Sequence, residues 1–424
     1  MLGGLHSETP KAMETREFDV VLWGASGFTG ALVAEYLTRQ YGVSGSLRWA
    51  LAGRNPAKLE RVREDLTAID AQASELPIIT ADGSDEASLA AMVARTRVVC
   101  TTVGPYALYG SSLVAACAAT GTHYCDLTGE VHWMRQMIDA HHETAQRTGA
   151  RIVHTCGFDS IPSDMGVYWI QEEMLRRHGV PAQAVKYRAE AFKGSFSGGT
   201  VASMLNMLDQ AEHDSAIRTI IADPYGLNPA SGPRGLDGPE KTLPEYDVDC
   251  GGWITPFVMA TINTKVVRRA NALLDFRYGT DFRYDEGTLI PGGQWGFPMA
   301  AAVAGGMGMF NAAAAVKPLR GLLARALPAP GEGPDAKARE QGYFEILLIG
   351  KHPVDADKSL RMRVRGDRDP GYGSTSKMLG ESAVCLALDD LSSNGGLLTP
   401  SVAMGDALLT RLQDNAGVSF TALN

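Results

Sequence analysis

The sequence predicts an α/β protein in which a doubly wound parallel sheet is followed by an α+β domain and by helices that return to the first domain. Short apolar runs alternate with helical segments from Phe18 to about Cys156, the pattern of βαβ units around a parallel sheet. Beyond about Pro162 the runs become longer alternating strands. A chain of 424 residues also exceeds what one small core needs, so two domains are expected.

The first strand ends in a glycine-rich turn, the most informative stretch of the chain. The apolar run Val20–Trp23 breaks into three glycines before the helical segment Ala31–Gln40. Gly24 permits a tight turn, Gly27 leaves room for a diphosphate, and Gly30 lets the helix lie close to the strand. The helix N-terminus offers free N–H groups to the phosphates. The pattern predicts a dinucleotide site of Rossmann type. A plain turn is the alternative, because the spacing differs from the commoner G-x-G-x-x-G.

The end of the second strand indicates which nucleotide is bound. The run Leu47–Ala52 is followed by Gly53 and Arg54, where an acidic residue usually holds the ribose 2′-hydroxyl. An arginine suits a 2′-phosphate instead, so we expect NADP(H). The alternative is that Arg54 is a solvated side chain beside a helix start.

The remaining elements of this domain follow in alternation. Pro56 suits the first turn of a helix over Asn55–Leu66, and a turn-forming acidic stretch precedes a helix over Asp85–Arg95. A small-residue helix is expected over Ser111–Gly121. The predicted strands are Asp19–Trp23, Leu47–Ala52, Pro77–Ala81, Val98–Thr102 and Arg151–Thr155.

The loop after the fourth strand, Thr101–Gly110, is expected to face the nicotinamide, because ligands of such sheets bind at the carboxyl ends of the strands. A Gly-Pro pair forms a rigid turn, and Tyr106 follows where a substrate could meet the cofactor. Packing of Tyr106 under the sheet is the alternative. The predicted cofactor-binding residues are Gly24, Ser26, Gly27, Phe28, Thr29, Gly30, Gly53, Arg54, Thr102, Val103, Gly104 and Pro105.

Two later loops bring polar residues to the same edge of the sheet. The segment His123–Glu130 carries Asp126 and is polar enough to line a site, with a solvated loop as the alternative. In the next loop, Asp164 is expected to cap a helix that begins at Met165. That assignment leaves Asp159 and Ser160 beside the cofactor site.

The expected domain limits follow from these patterns. Residues 1–17 are a flexible polar leader, 18–162 the nucleotide-binding domain, 163–370 the second domain, and 371–424 helices that pack back on the first domain. The expected elements of the second domain are strands at Val185–Phe192, Trp253–Pro256, Ala272–Tyr278, Tyr343–Gly350 and Leu360–Val364, a helix at Thr200–Asp209, and long loops at Asp223–Pro244 and Leu327–Lys337.

Composition excludes several classes of function. A formal net charge of −9 without a basic stripe argues against a nucleic-acid surface. The six cysteines form no C-x-x-C pair, which favours reduced thiols in the cytoplasm over a disulfide framework or a zinc site. The His141–His142 pair lacks a second cluster with ligand spacing, so no metal is expected. A homodimer is expected for a two-domain reductase.

Residues 287–316 form a run without any charged side chain. The run is long enough to span a bilayer, but Gly and Ala dominate it and Pro291 and Pro298 interrupt it. We therefore expect a buried or lipid-facing helix and loop rather than a transmembrane helix. A peripheral membrane contact, a lipid tunnel and ordinary core stay open as alternatives.

Several motifs in order carry a resemblance to a known family. Together they resemble the saccharopine dehydrogenase-like oxidoreductases, and within them the bacterial trans-acting enoyl reductases. The resemblance extends from Phe18 to about Leu412. The motifs are Gly24–Gly30, Ala52–Arg54, Val103–Tyr106, Tyr124–Glu130, Cys156–Asp164 and Gly371–Lys377.

The resemblance implies an NADP(H)-dependent enzyme of lipid metabolism that reduces an activated carbon–carbon double bond of a carrier-bound acyl chain. Hydride would reach the β-carbon, and the resulting enolate would need a hydrogen-bonding partner and a proton. We expect Tyr106 as that partner, with Asp126, Asp159 and Ser160 as polar neighbours.

Two other functions stay open. A saccharopine- or opine-type dehydrogenase would bind substrate carboxylates through basic residues. The predicted site loops contain no arginine or lysine. This dehydrogenase alternative therefore requires that basic residues of the second domain converge on the cleft; these residues are Lys186, Arg188, Lys193, Arg268 and Arg269. The second alternative is a non-catalytic, lipid-associated protein that keeps the nucleotide fold.

Overall fold

The computed structural model describes residues 16–194, 198–326 and 333–424, and these residues form two seven-stranded sheets. The strands in chain order are β1 (Phe18–Trp23), β2 (Trp49–Gly53), β3 (Ile78–Thr80), β4 (Thr96–Thr101), β5 (His123–Cys125), β6 (Arg151–Val153), β7 (Ala184–Lys193), β8 (Glu245–Asp247), β9 (Gly252–Thr255), β10 (Arg283–Pro291), β11 (Tyr343–Lys351), β12 (Leu360–Gly366), β13 (Gly396–Leu398) and β14 (Val418–Ala422).

The α-helices alternate with these strands. In chain order they are α1 (Phe28–Tyr41), α2 (Pro56–Leu66), α3 (Glu86–Val93), α4 (Tyr106–Tyr109), α5 (Ser111–Thr120), α6 (Val131–Thr148), α7 (Ile161–His178), α8 (Gly198–His213), α9 (Ser215–Ala222), α10 (Ala260–Leu273), α11 (Gly296–Ala315), α12 (Lys317–Ala326), α13 (Ala336–Glu340), α14 (Thr375–Leu388) and α15 (Pro400–Asp414).

The first sheet is parallel throughout, in the order β13-β6-β5-β4-β1-β2-β3, and helices connect its strands. All six residues of the central strand β1 are buried, as expected for a strand covered on both faces. Its one charged residue, Asp19, pairs with Arg48 at 2.8 Å. The predicted doubly wound sheet is confirmed.

The second sheet is mixed, in the order β14-β12-β11-β7-β10-β9-β8. Strands β7 and β10 pair in parallel, and the other pairs are antiparallel. The α+β character predicted for the second part of the chain is confirmed, whereas the domain limits at residues 162 and 370 stay predictions.

The end of the chain is more than a pair of helices. Helix α14 packs against α1 and the first sheet as predicted, but β13 extends the first sheet and β14 adds an edge to the second. Both strands have five residues or fewer, too short for a clear alternating pattern. The prediction of helices alone for residues 371–424 was therefore incomplete.

Two predicted element boundaries were wrong. The strand expected at Ala272–Tyr278 is the end of α10 followed by a turn in which Asp275 and Phe276 have positive φ. The helix expected from Met165 begins four residues earlier, at Ile161 with Pro162 in its first turn. Of the predicted loops, 223–244 has no helix or strand, and residues 327–332 of the other lie outside the described residues.

Candidate cofactor and catalytic site

Five loops meet at the carboxyl edge of the first sheet, where doubly wound sheets bind their ligands. They follow β2, β1, β4, β5 and β6, which are neighbours in the sheet in that order. All predicted site residues lie in these loops, in the first turns of the helices that follow them or, for Gly53, at the last position of β2. The sequence therefore placed the candidate site on one edge.

The glycines of the turn after β1 serve different purposes. Gly24 has a φ of +87°, and a Cβ there would lie 2.6 Å from Val103 Cγ2. A Cβ on Gly30 would lie 2.2 Å from the Gly24 carbonyl oxygen. At Gly27 the nearest atom to a Cβ is that same oxygen, at 3.3 Å. The fold requires glycine at positions 24 and 30, whereas Gly27 keeps the exposed side of the turn open to a ligand.

Helix α1 begins directly after this turn, with Gly27 as its N-cap and no side chain capping it. The N–H groups of its first turn are therefore available to an anion, and the helix dipole favours negative charge there. The partly exposed hydroxyls of Ser26 and Thr29 lie in the same turn. The donor set fits a diphosphate.

Arg54 follows β2 at the predicted 2′-phosphate position. Its side chain is exposed and makes no hydrogen bond or ion pair with the described residues. Gly53 before it is buried, and a Cβ there would lie 3.4 Å from Leu59 Cδ2. The charge of Arg54 acts on the nearby Asp82 carboxylate, whose pKa is lowered first by hydrogen bonds from Ser84 and also by Arg54. An exposed guanidinium at the end of β2 fits a phosphorylated ribose, because arginine binds phosphate in a bidentate manner.

The loop after β4 is tied to the glycine turn. The Thr102 N–H donates to the Trp23 carbonyl at 3.1 Å, and the Thr102 hydroxyl donates to the Gly24 carbonyl at 3.3 Å. Residues Val103, Gly104 and Pro105 continue this wall toward α4, with a cis peptide bond between the last two. The two loops thus form one continuous side of the candidate cofactor site.

The structure does not present Tyr106 to the cleft. Its side chain is 5% exposed and stacks on Trp133 with the ring centroids 5.7 Å apart. Its hydroxyl donates to the Thr101 carbonyl at 3.3 Å and accepts the Leu127 N–H at 3.2 Å. These contacts favour the packing alternative for Tyr106 over the expected role as enolate partner.

Asp126 is likewise committed to the fold. It is fully buried, and its carboxylate accepts hydrogen bonds from the Tyr124 hydroxyl at 2.8 Å and His154 Nδ1 at 2.7 Å. It also accepts the N–H groups of Thr128 at 3.0 Å and Thr155 at 3.2 Å. These bonds clamp together the ends of β5 and β6, which explains an acidic residue at this position without a catalytic role.

Glu130 is a site element that the sequence analysis left without a role. Its carboxylate accepts the N–H groups of Tyr106 at 2.7 Å and Ala107 at 3.0 Å, so it caps the short helix α4. It also accepts the Ser203 hydroxyl of α8 at 2.8 Å. Burial raises the pKa of Glu130, while these three donors oppose the shift. Helix α8 is thereby fixed beside the β4 loop.

Ser160 is buried and joins a network that reaches the second sheet. Its hydroxyl donates to Asn263 Oδ1 at 2.9 Å, and Asn263 Nδ2 donates to Glu286 Oε2 at 3.0 Å. The Tyr284 hydroxyl donates to Glu286 Oε1 at 2.7 Å, and burial raises the pKa of Glu286 to about 7. Ser160 links the two sheets and does not face an open cleft.

Asp159 is the one predicted catalytic residue that is not used by the fold. It is partly exposed, and its carboxyl makes no hydrogen bond with the described residues. Its neighbour Phe158 is held by a hydrogen bond from its N–H to the Thr375 hydroxyl at 3.0 Å and by ring contact with Phe344 at 4.9 Å. Burial raises the pKa of Asp159 to about 6. An unpaired carboxyl with that pKa can donate a proton near neutral pH.

The five basic residues expected to test the amino-acid dehydrogenase alternative lie on β7 and α10, and they do not form a free carboxylate-binding cluster. Four of the five have partners within the fold, and Lys193 lies exposed, 3.5 Å from Gln341. The partners are Asp247 and Asp249 for Lys186, Asp247 and Asp285 for Arg188, Asp237 and Glu240 for Arg268, and the carbonyls of Leu227 and Leu397 for Arg269.

Comparisons with known proteins agree with this geometry. A family model described as the saccharopine dehydrogenase NADP binding domain matches residues 20–153. The chain is 48% identical over 417 residues to a putative trans-acting enoyl reductase of Mycobacterium tuberculosis, covering 96% of this chain and 97% of that protein. It is 40% identical over 435 residues to the trans-acting enoyl reductase of Mycobacterium ulcerans, covering 96% and 99%.

A solved structure shares the whole architecture. The apo saccharopine dehydrogenase (L-Glu forming) from Saccharomyces cerevisiae matches with a TM-score of 0.50 at 13% identity, covering 96% of this chain and 99% of that one. The family match over the nucleotide domain and the exposed Arg54 agree on NADP(H) as the cofactor. The chain is an NADP-dependent oxidoreductase that belongs to the saccharopine dehydrogenase-like family, in the group of the trans-acting enoyl reductases.

Proposed function

We propose that this enzyme reduces a carbon–carbon double bond conjugated to the thioester carbonyl of an acyl chain. The names of the relatives that are 40 to 48% identical support this reaction. The observation that carries the proposal is the electrostatic character of the site, because the loops that follow β5 and β6 contain no lysine or arginine. Such a site suits an uncharged enoyl group better than a substrate with carboxylates.

The chemistry divides between cofactor and protein. When bound, NADPH supplies a hydride for the β-carbon, and the α-carbon must then take a proton. Asp159 is the residue we assign as proton donor, because it lies in the loop after β6 and its carboxyl makes no hydrogen bond with the described residues. Its raised pKa of about 6 keeps a fraction of it protonated near neutral pH.

The proposal also includes a carrier protein as the partner of the enzyme. A trans-acting reductase acts on a substrate held by another protein, so the acyl chain would arrive on a carrier protein as a thioester. The cytoplasm, lipid metabolism and a homodimer are expected from the sequence. Nucleic acid has no part in it.

An amino-acid dehydrogenase is the second candidate, and the pairing of the basic residues weighs against it. Arg188 and Arg268 are engaged by buried or partly buried carboxylates, so neither is free to bind a substrate carboxylate. A site for two amino acids needs basic side chains that are unpaired and can bind the substrate carboxylates.

The test is NADPH oxidation by the purified chain with two substrate classes. Long-chain 2-enoyl thioesters should be reduced with transfer of one deuterium from deuterated NADPH to the β-carbon. Pairs of a 2-oxo acid or aldehyde with an amino acid should give no turnover. Turnover with the second class alone would overturn the proposal, and the saturated thioester serves as the control for non-enzymatic NADPH loss.

A further inference from the structure

We infer that α11 docks onto a lipid bilayer, lying within the acyl-chain layer of one leaflet. Within the described part of the chain, α11 is the one helix long and apolar enough to cross a membrane by length and composition, and 11% of its apolar stretch is buried inside the structure. It carries no charged residue. A helix of this composition is normally buried in a protein or in lipid.

The exposed side chains of this surface are large and apolar. Trp295 is 70% exposed and Met309 is 72% exposed, and Phe297 and Met299 are each more than half exposed. Soluble monomers rarely expose a continuous apolar patch of this kind unless it binds something. Ordinary core, one of the alternatives kept for residues 287–316, does not describe Met309, because its side chain is exposed.

The shape of the exposed surface favours a fluid partner over a second protein. Helix α11 contacts the protein along one narrow stripe, which consists of four buried positions (Gly296, Ala300, Ala304 and Ala314) and the half-buried Ala301, Met307, Phe310 and Ala313 beside them. The rest of its circumference is open. Lipid can surround such a ridge, whereas a protein surface covers one side of it.

The size and polarity of α11 also favour lipid over a second protein as its partner. The helix is about 30 Å long, and one face about 10 Å wide is well below the roughly 800 Å² per partner that a stable interface needs. A protein interface also forms about one hydrogen bond per 100–200 Å². From Gly296 to Val316, Asn311 is the one side chain that can form hydrogen bonds.

Aromatic residues cluster at the start of the helix. Phe297 packs on Trp253 of β9 at 4.8 Å, and Trp253 contacts Tyr246 of β8 at 5.5 Å. Trp295 and Tyr246 are both exposed, and such amphipathic rings settle at the headgroup level of a bilayer. Lys317 follows the other end of the helix. The helix lies along the membrane surface rather than across it, because it contacts the protein from Gly296 to Ala314 and so keeps the protein beside it along its length.

The docked surface is connected to the candidate site through α8. Helix α11 packs against α8, and Ser203 of α8 contacts the Glu130 carboxylate beside the β4 loop. Delivery of a lipid-like acyl chain along this side rests on the proposed function. Bilayer binding itself does not.

The chemistry of the surface predicts which bilayers bind. The chain has a net charge of −9 and the helix is neutral, so apolar burial and not charge attraction must drive the association. Vesicles of pure phosphatidylcholine should therefore bind the full-length chain. Salt at high concentration should not release it, because screening acts on charge interactions.

Vesicle flotation with phosphatidylcholine tests this inference. The double variant Phe297→Glu with Met309→Glu should lower the bound fraction at least about tenfold, since two large apolar side chains lose their burial. Val354→Glu is the matched control, an exposed apolar residue outside α11 that should leave binding unchanged.

Brominated lipids should quench the fluorescence of Trp295, and Trp295→Phe should remove that quenching while binding persists.

Three outcomes would overturn the inference. The first is absence of the wild-type chain from the vesicle fraction, and the second is equal binding of the double variant. The third is a stable dimer in light scattering that the double variant dissociates, which would assign α11 to a second copy. Titration with NADPH shows that each variant is folded. Reduction of a short, soluble enoyl thioester is measured separately, so failure of the proposed reaction cannot be mistaken for failure of membrane binding.

Discussion

The carboxylate of Asp164, in the first turn of α7, accepts hydrogen bonds from the backbone N–H of Ser401 at 2.7 Å and from its hydroxyl at 2.8 Å. Ser401 lies in the first turn of α15, so Asp164 caps a helix 237 residues away and not the helix that contains it. Burial raises the pKa of Asp164 to about 7, while the hydrogen bonds from Ser401 oppose this shift. The dipole of α15 also favours the ionised carboxylate at its N-terminus. The contact fastens the end of the chain to the helix that follows the candidate site.

Replacement of Asp164 by alanine should lower the free energy of unfolding by about 1–3 kcal/mol, because two buried donors of Ser401 lose their acceptor. Urea unfolding measures the loss. Asp357→Ala is the matched control, since Asp357 is exposed and should cost under about 0.5 kcal/mol. Equal losses in the two variants would contradict a capping role.

The buried carboxyl of Glu286 predicts how stability changes with pH. Burial raises its folded-state pKa to about 7, whereas the unfolded chain has a value of about 4. Between these two pKa values the folded state binds more protons than the unfolded chain. The contribution of Glu286 to stability is therefore complete below the unfolded-state pKa and is lost as pH rises through the folded-state pKa. Urea unfolding at about pH 5.5 and about pH 8 should show lower stability at the higher pH. Glu286→Gln should reduce this difference, and an unchanged difference would exclude the residue.

The sequence was sufficient for features that are local. The glycine turn, the strands β1 to β4 and β6, and the position of Arg54 follow from patterns within a few tens of residues, where strand, turn and helix constrain one another. It was insufficient for Tyr106, Asp126 and Asp164. Each is a polar residue in a site loop, but its partners are fixed by tertiary packing, and the partner of Asp164 comes from the last helix. A polar residue beside a site is equally compatible with catalysis and with clamping a loop until those partners are known.

Arg54 should discriminate between the two nicotinamide nucleotides. Arg54→Ala should weaken NADPH binding about tenfold or more, because hydrogen bonds to a charged group contribute about 1.5–3 kcal/mol. NADH binding should stay the same, since NADH lacks the 2′-phosphate. Fluorescence titration measures both. Arg61→Ala is the control, an exposed arginine in the next helix, and a loss of NADPH affinity there would point to general charge instead.

The glycines of the turn should separate cofactor binding from folding. Gly30→Ala places a Cβ 2.2 Å from the Gly24 carbonyl and should destabilise the fold, measured as a lower midpoint of thermal unfolding. Gly27→Ala brings its Cβ to 3.3 Å from the same oxygen, which a shift of a few tenths of an ångström relieves, so this variant should stay folded with a much smaller change in midpoint. It should still weaken NADPH binding, because the added methyl occupies the approach of the diphosphate. Full NADPH affinity in Gly27→Ala would exclude a diphosphate at this turn.

Asp159 and Tyr106 give opposite predictions for the reductase reaction. Asp159→Asn cannot donate a proton, so kcat should fall by about 10²–10⁴, while KM for NADPH should change little. In the wild type, kcat should fall as pH rises through about 6, because the acid form of Asp159 is lost. Asp159→Asn should remove this dependence, which a purely structural role would not do.

Tyr106→Phe should keep kcat close to the wild-type value and lower the free energy of unfolding by about 1 kcal/mol, since its hydroxyl bonds only to Thr101 and Leu127 in the described residues. Stopped-flow measurement of NADPH oxidation over a pH series, combined with urea unfolding, separates the two residues. A large loss of kcat in Tyr106→Phe at unchanged stability would restore the tyrosine as the partner of the enolate. Such a result would require α4 to open during catalysis, because the hydroxyl is buried against the strand ends in the structure.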